Sequence, residues 1–195
     1  MTTLYLIRHA RPAASFGDSV DPGLDETGKS QAEAVARALA GRMRPLPVYS
    51  SPLQRCRETA QPLAAIWGVS PVISGEVGEI PSPRLPLAER QTWLRNAMAG
   101  TWAALKQNAP AGSPDFDAWR AALLSSVRSM TGDTVIFSHF VAINAIVGAA
   151  QGSDLMVSFR PDHASVTTIE VSGETISVRE LGRQAGEGSA VLAGR

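Results

Sequence analysis

Cysteine is all but missing. Cys56 is the only one in 195 residues, so no disulfide can form within the chain and no cysteine-based zinc site is available. A reducing compartment fits that usage. Net charge is missing too: 18 basic residues balance 18 acidic ones. Neither nucleic acid nor a membrane surface is therefore expected as a partner, and any anion site must be a local cluster of cations. No run approaches the roughly eighteen uninterrupted apolar residues of a membrane helix. The N-terminus shows no charged n-region followed by an apolar stretch, so no signal peptide is expected and the localisation expected is cytoplasmic. Histidine is scarce, with His9, His139 and His163 far apart and no close pair such as His-x-x-x-His, which disfavours a metal hydrolase. Asp18, Asp21 and Asp25 do not match a calcium-loop spacing, and Pro22 interrupts them. No metal or cofactor is expected.

What is present reads as globular: 44% apolar and 18% charged residues, with length enough for a full core. Leu4-Tyr5-Leu6-Ile7 is a short apolar run suited to a strand buried on both faces. It ends abruptly in Arg8-His9. Residues 10–25 are a loop. A helix follows, capped by Asp25 or Thr27, with Ala32, Val35, Ala36, Leu39 and Ala40 on one face. Leu46–Tyr49 is a second strand, followed by Ser50-Ser51-Pro52. Ser51 is expected to cap the next helix with Pro52 at its first position, and Pro62 to kink or end it. Val72-Ile73 is a third short strand.

Residues 75–86 are loop. A long helix through Leu87, Leu94, Thr101 and Leu105 and another through Phe116, Trp119, Leu123 and Val127 form a helical insertion, 84–130, covering one end of the sheet. Tryptophans there are expected in the core. Thr134–Phe137 is the clearest strand, ending in Ser138-His139. Residues 165–171 and 175–181 alternate around Gly173 as a hairpin. The expected fold class is α/β: a three-layer sandwich, with a mostly parallel central sheet, helices on both faces and a C-terminal antiparallel hairpin. A single domain spans 1–181, and 182–195 is expected to be a mobile tail.

Three strand ends carry polar residues: Arg8-His9, Ser50-Ser51 with Arg55 one turn on, and Ser138-His139. In a parallel sheet they meet at one edge, where open α/β sheets bind ligands. Two guanidiniums suit a tetrahedral oxyanion. A neutral histidine nitrogen can attack phosphorus, and a carboxyl group must protonate the leaving oxygen. Glu76 and Glu79 are the candidates for that acid.

These residues resemble the histidine phosphatase superfamily, which includes the cofactor-dependent phosphoglycerate mutases. Arg8-His9-Ala10 is similar to the family's Arg-His-Gly. Ser50 to Ala60 resembles its second motif, Ser138-His139 its third, and Leu24 to Ala32 its Leu-Thr-x-x-Gly-x-x-Gln-Ala. The resemblance runs from residue 4 to about 170 and implies a phosphoglycerate mutase-like fold. It implies His9 as phosphorylated nucleophile, Arg8 and Arg55 as phosphate clamp, His139 as second phosphate-pocket histidine and Glu79 as acid. Ser15 stands where the family often has a polar phosphate contact, the alternative being a plain loop serine, and Arg11 and His163 are candidates for the pocket rim, the alternative being surface or turn residues. Ala10 and Phe140 stand where glycines are usual, and Pro81-Ser82-Pro83 replaces the usual sequence after the acid.

The function expected is a phosphomonoesterase acting on a phosphorylated small molecule through a phosphohistidine, as a metal-independent histidine acid phosphatase. The alternatives are mutase-type phosphoryl transfer and a non-catalytic phosphate-ligand binding protein. Oligomeric state is not readable.

Overall fold

The computed structural model describes residues 1–15 and 18–186. Six strands form one sheet in the order β3-β2-β4-β1-β5-β6. They are β1 (Thr2–Arg8), β2 (Val48–Ser50), β3 (Val72–Ile73), β4 (Thr134–Ser138), β5 (Val166–Ser172) and β6 (Thr175–Glu180). β3, β2, β4 and β1 run parallel, and the β5–β6 hairpin closes the sheet antiparallel. β1 and β4 are central, and Leu4, Leu6, Ile7, Val135 and Phe137 are all fully buried. Apolar side chains on both faces require helices on both faces.

α1 (Glu26–Ala40) and α2 (Gln54–Trp67) cover one face and bury Ala36, Leu39, Ala60 and Leu63 against Ile7 and Val135. α5 (Phe116–Arg128) and α6 (Phe140–Gln151) cover the other, with Leu123, Val127, Ile143 and Ile146 against Leu4, Leu6 and Ile136. The three-layer α/β expectation therefore holds. α5, however, belongs to the sheet-facing layer rather than to an insertion over one end.

Local departures have identifiable causes. The expected long helix is two, α3 (Leu87–Met98) and α4 (Trp102–Gln107). Between them the Gly100 carbonyl accepts from Met156 N–H at 3.1 Å, and Thr101 caps α4 through the Ala104 N–H. A distant loop thus claims the backbone where the helix would continue. α2 begins at Gln54, not at Pro52. Asp21 Oδ1 accepts the Gln54 N–H at 2.7 Å, while Ser51 Oγ takes the Leu53 N–H. Pro62 lies inside α2 without ending it, because Ala60 and Leu63 anchor the helix on both sides of the missing bond.

Of the tryptophans expected in the core, Trp102 is buried, while Trp119, stacked on it, and Trp93, stacked on Phe116, are half-buried and pack against the core. Residues 182–186 pack back on the fold through a Pro161–Gln184 bridge and an Arg183–Asp162 ion pair. Residues 187–195, the rest of the expected mobile tail, lie outside the described residues.

The loop after β1 rests on α1. Arg11 N–H donates to Gln31 Oε1, and Arg11 Nε pairs with Asp25, the cap of α1. A Cβ on Gly28 would stand 2.1 Å from the Arg11 carbonyl oxygen. Gly28→Ala must therefore push this loop off the helix. The expected loss is about 1–3 kcal/mol, read as a lower melting temperature, with Ala34→Gly on the exposed side of α1 as the comparison for ordinary helix propensity, about 1 kcal/mol.

Candidate active site

The parallel register brings the three polar strand ends together. Arg8 pairs with Ser138, and Ser50 with Phe137. Beyond those pairs, His9 N–H donates to the Ser138 carbonyl at 2.9 Å, and Ser51 N–H to the Phe137 carbonyl at 3.0 Å. A cavity of about 370 Å³ opens here, lined among others by Arg8, His9, Arg55 and Glu79.

His9 is almost fully buried, and its Nδ1 lies 2.8 Å from the Ala10 carbonyl. A carbonyl only accepts, so Nδ1 carries the proton and Nε2 keeps its lone pair. Burial, and then the neighbouring His139, Arg55 and Arg8, holds this imidazole well below the ordinary histidine range. It is therefore a neutral ring in a fixed tautomer. Ala10 is fully buried against Leu24 and Ala32, and its N–H donates to Thr59 Oγ1. Among the described residues the only non-glycine with positive φ is Ala164. The position of Ala10 asks for a small side chain and not for left-handed backbone.

The two arginines are held differently. Arg8 donates to the Pro161 carbonyl at 2.9 Å and to His163 Nε2 at 3.0 Å, and stands 5.1 Å from the centre of the Phe140 ring. Burial lowers its pKa to about 10, so it remains a cation at neutral pH. Arg55 donates to His139 Nδ1 at 3.3 Å and lies 3.8 Å from Asp21. Asp21 thus fixes both the start of α2 and the guanidinium one residue on. Thr59 donates to the Arg55 carbonyl while accepting from Ala10.

His139 is fully buried, 5.3 Å from the His9 ring, with Nε2 against Ser51 Oγ at 2.8 Å. Since Nδ1 accepts from Arg55, Nε2 is the protonated nitrogen. Burial keeps the ring neutral. His139 does not line the cavity; it stands behind Arg55 and His9. His163 is likewise off the cavity, with burial and Arg8 lowering its pKa to about 4.

Glu79 reaches the cavity from the loop after β3. Its carboxylate accepts from Ile80 N–H at 3.0 Å, Val141 N–H at 3.3 Å and Ala142 N–H at 3.2 Å, the last two at the start of α6. Ser138 Oγ anchors the same loop by donating to the Val77 carbonyl at 2.7 Å. Burial raises the Glu79 pKa above the usual carboxylate value, against the pull of those amides and Arg55. Glu76 is exposed and does not line the cavity. Ser15 lines the cavity and donates to Asp18. Arg11 does not line it, being paired with Asp25.

Sequence reasoning did not foresee that Asp21, Thr59 and Ser138 support the reacting groups. Asp21 holds Gln54, Thr59 holds Ala10 and Ser138 holds Val77, each 33 or more residues away; the one signal available was that Thr59 and Ser138 fall inside the resembling motifs.

A family model described as "Histidine phosphatase superfamily (branch 1)" matches residues 4–184. The chain belongs to the histidine phosphatase superfamily. Solved structures agree in fold. One is described as mycobacterial hydrolase 1, with a TM-score of 0.75 at 20% identity, covering 95% of this chain and 100% of that one. A mycobacterial glucosyl-3-phosphoglycerate phosphatase with VO3 gives 0.73 at 20% identity, covering 94% and 100%. A protein from Thermus thermophilus gives 0.67 at 21% identity, covering 93% and 99%. In sequence, 79 residues (38% of this chain) are 33% identical to a PE-PGRS family protein of Mycobacterium tuberculosis, of which they span 14%. Within the superfamily, Arg8, His9, Arg55 and Glu79 meet at one cavity here, and His139 supports them from behind. Among the described residues no group of His, Cys, Asp and Glu could hold a metal ion, and no helix is long and apolar enough to cross a membrane.

Proposed function

We propose that this protein hydrolyses phosphate monoesters of small molecules through a phosphohistidine at His9. The observation that carries the reading is the His9 Nδ1–Ala10 carbonyl contact, which leaves Nε2 as a lone-pair nitrogen in a cavity with two guanidiniums.

The reaction balances in two steps. The Nε2 lone pair forms a bond to phosphorus as the bond to the leaving oxygen breaks. Glu79, protonated, gives that oxygen its proton. Arg8 and Arg55 hold the charge spread over the phosphoryl oxygens. Glu79 as carboxylate then takes a proton from water while the water oxygen attacks phosphorus. The P–N bond breaks and its electron pair returns to Nε2. His139 acts through Arg55, as a positioning residue.

The test is hydrolysis of p-nitrophenyl phosphate. It is expected to survive EDTA, to need no bisphosphate primer and to be blocked by vanadate. Phosphate binding without turnover contradicts the reading. With an alkyl ester such as benzyl phosphate, whose leaving oxygen needs a proton, the pH dependence of kcat/KM carries a sign. The raised pKa of Glu79 keeps the acid protonated above the ordinary carboxylate range, and activity is lost as pH rises through it. The lowered pKa of His9 keeps the nucleophile neutral well below the ordinary histidine range, and activity is lost only as pH falls through it. The rate is therefore highest between those two titrations, and Glu79→Gln removes the alkaline limb.

A further inference from the structure

The reaction above uses Arg8, His9, Arg55 and Glu79 of the cavity lining. The walls of the remainder are apolar: the Phe140 ring, Leu94 and Met98 of α3, Pro22 and Val141. The neutral hydroxyls among the described lining residues are Ser15 and Ser19, and Ser15 already gives its proton to Asp18. A sugar or polyol placed here exchanges hydrogen bonds to water for contacts with carbon, which disfavours it. A ring fits such walls and can pack against Phe140, one face of which Arg8 already covers.

A third guanidinium, Arg160, also lines the cavity. Its side chain is exposed and has no hydrogen bond or ion pair with a described residue. Its backbone is fixed on both sides: the N–H donates to Gln184 Oε1 at 3.1 Å, and the carbonyl accepts from Ala185 N–H at 2.9 Å. The next carbonyl, that of Pro161, holds Arg8. Arg8 and Arg55 already suffice for a phosphoryl dianion. Arg160 is a cation left over on an anchored backbone, in the lining of the same cavity as the apolar side chains.

Resting on the phosphomonoesterase reading, we propose that the natural substrate is the phosphate monoester of an apolar, ring-bearing alcohol that carries a second anionic group. The ring lies against Phe140, Leu94 and Met98, and the second anion meets Arg160. Phe140, where a glycine is usual, is then a specificity residue.

Benzyl phosphate, para-carboxybenzyl phosphate and glucose 6-phosphate are all esters of primary alcohols, so their comparison reads recognition more than leaving-group chemistry. Wild-type kcat/KM is expected to favour benzyl phosphate over glucose 6-phosphate by about 10-fold or more, and Met98→Ser to cut both benzyl esters by about 10-fold while sparing the sugar. The carboxylate is expected to add a further gain of roughly 5-fold, which Arg160→Gln removes, leaving benzyl phosphate within about twofold. Equal or better use of glucose 6-phosphate overturns the apolar assignment. Absence of the carboxylate gain, or an equal loss of both benzyl esters in Arg160→Gln, overturns the anion assignment. Turnover of p-nitrophenyl phosphate by the wild type separates the two levels: with turnover and no preference only this proposal falls, and with no turnover both fall.

Discussion

His9→Ala is expected to lower p-nitrophenyl phosphate turnover by on the order of 10⁴-fold or more, with the fold intact by circular dichroism. The size follows from the absence of a substitute. Of the three histidines only His9 lines the cavity. Both nitrogens of His139 are engaged, by Arg55 and Ser51, and His163 Nε2 accepts from Arg8. Water, which Arg8 and Arg55 can still orient, then takes the place of the ring nitrogen, so a small residual rate is expected. The change removes a buried ring whose one named hydrogen bond is to the next residue's carbonyl, so stability should move far less than rate. A rate unchanged in His9→Ala sinks the assignment, since no other group in the cavity can form the P–N bond.

Glu79→Gln is expected to cost about 10²–10⁴-fold in kcat, the usual worth of a positioned acid and base, whereas Glu76→Gln leaves the rate within about twofold. The contrast rests on place: Glu79 lines the cavity and accepts three backbone N–H groups, while Glu76 is exposed. Glutamine keeps one oxygen, enough for the Ile80 and Ala142 N–H groups that share Oε1, while the Val141 N–H loses its acceptor, so the start of α6 keeps part of its cap. It can neither give nor take the proton. p-Nitrophenolate needs little help in leaving, so the second step suffers most with that substrate. The variant should then release one p-nitrophenolate per chain in a burst and stall. A collapse in Glu76→Gln with Glu79→Gln unaffected would assign the acid to the other carboxylate.

The sheet and its polar edge were legible because burial on both faces writes a plain signal. Leu4–Ile7 and Thr134–Phe137 are apolar runs of strand length, each stopped by a charged or imidazole-bearing pair. Arg8, His9, Arg55 and His139 followed because strand ends in a parallel sheet share an edge. Other features depend on partners that no local pattern reveals. Asp21 stood in a loop with nothing to mark its grip on Gln54 and Arg55. The break at Gly100 is made by the Met156 backbone. Pro62 obeyed its helix neighbours over its own propensity, and Ser51 gave its oxygen to His139 and Leu53 instead of capping at Pro52. Ala10 and Phe140 were visible as departures, but their meaning was geometric. The first proved to be a buried small side chain without positive φ, and the second a ring against Arg8 on the cavity wall.

The most direct measurement is the chemical state of His9 during turnover. Glu79→Gln mixed with labelled p-nitrophenyl phosphate and quenched in base should carry up to one phosphoryl group per chain. That label should be stable in alkali, lost in mild acid, located on the peptide containing His9 and absent when His9 is also replaced by alanine. A label that resists acid or maps to another residue contradicts the account. So does wild-type hydrolysis that never passes through a phosphorylated chain.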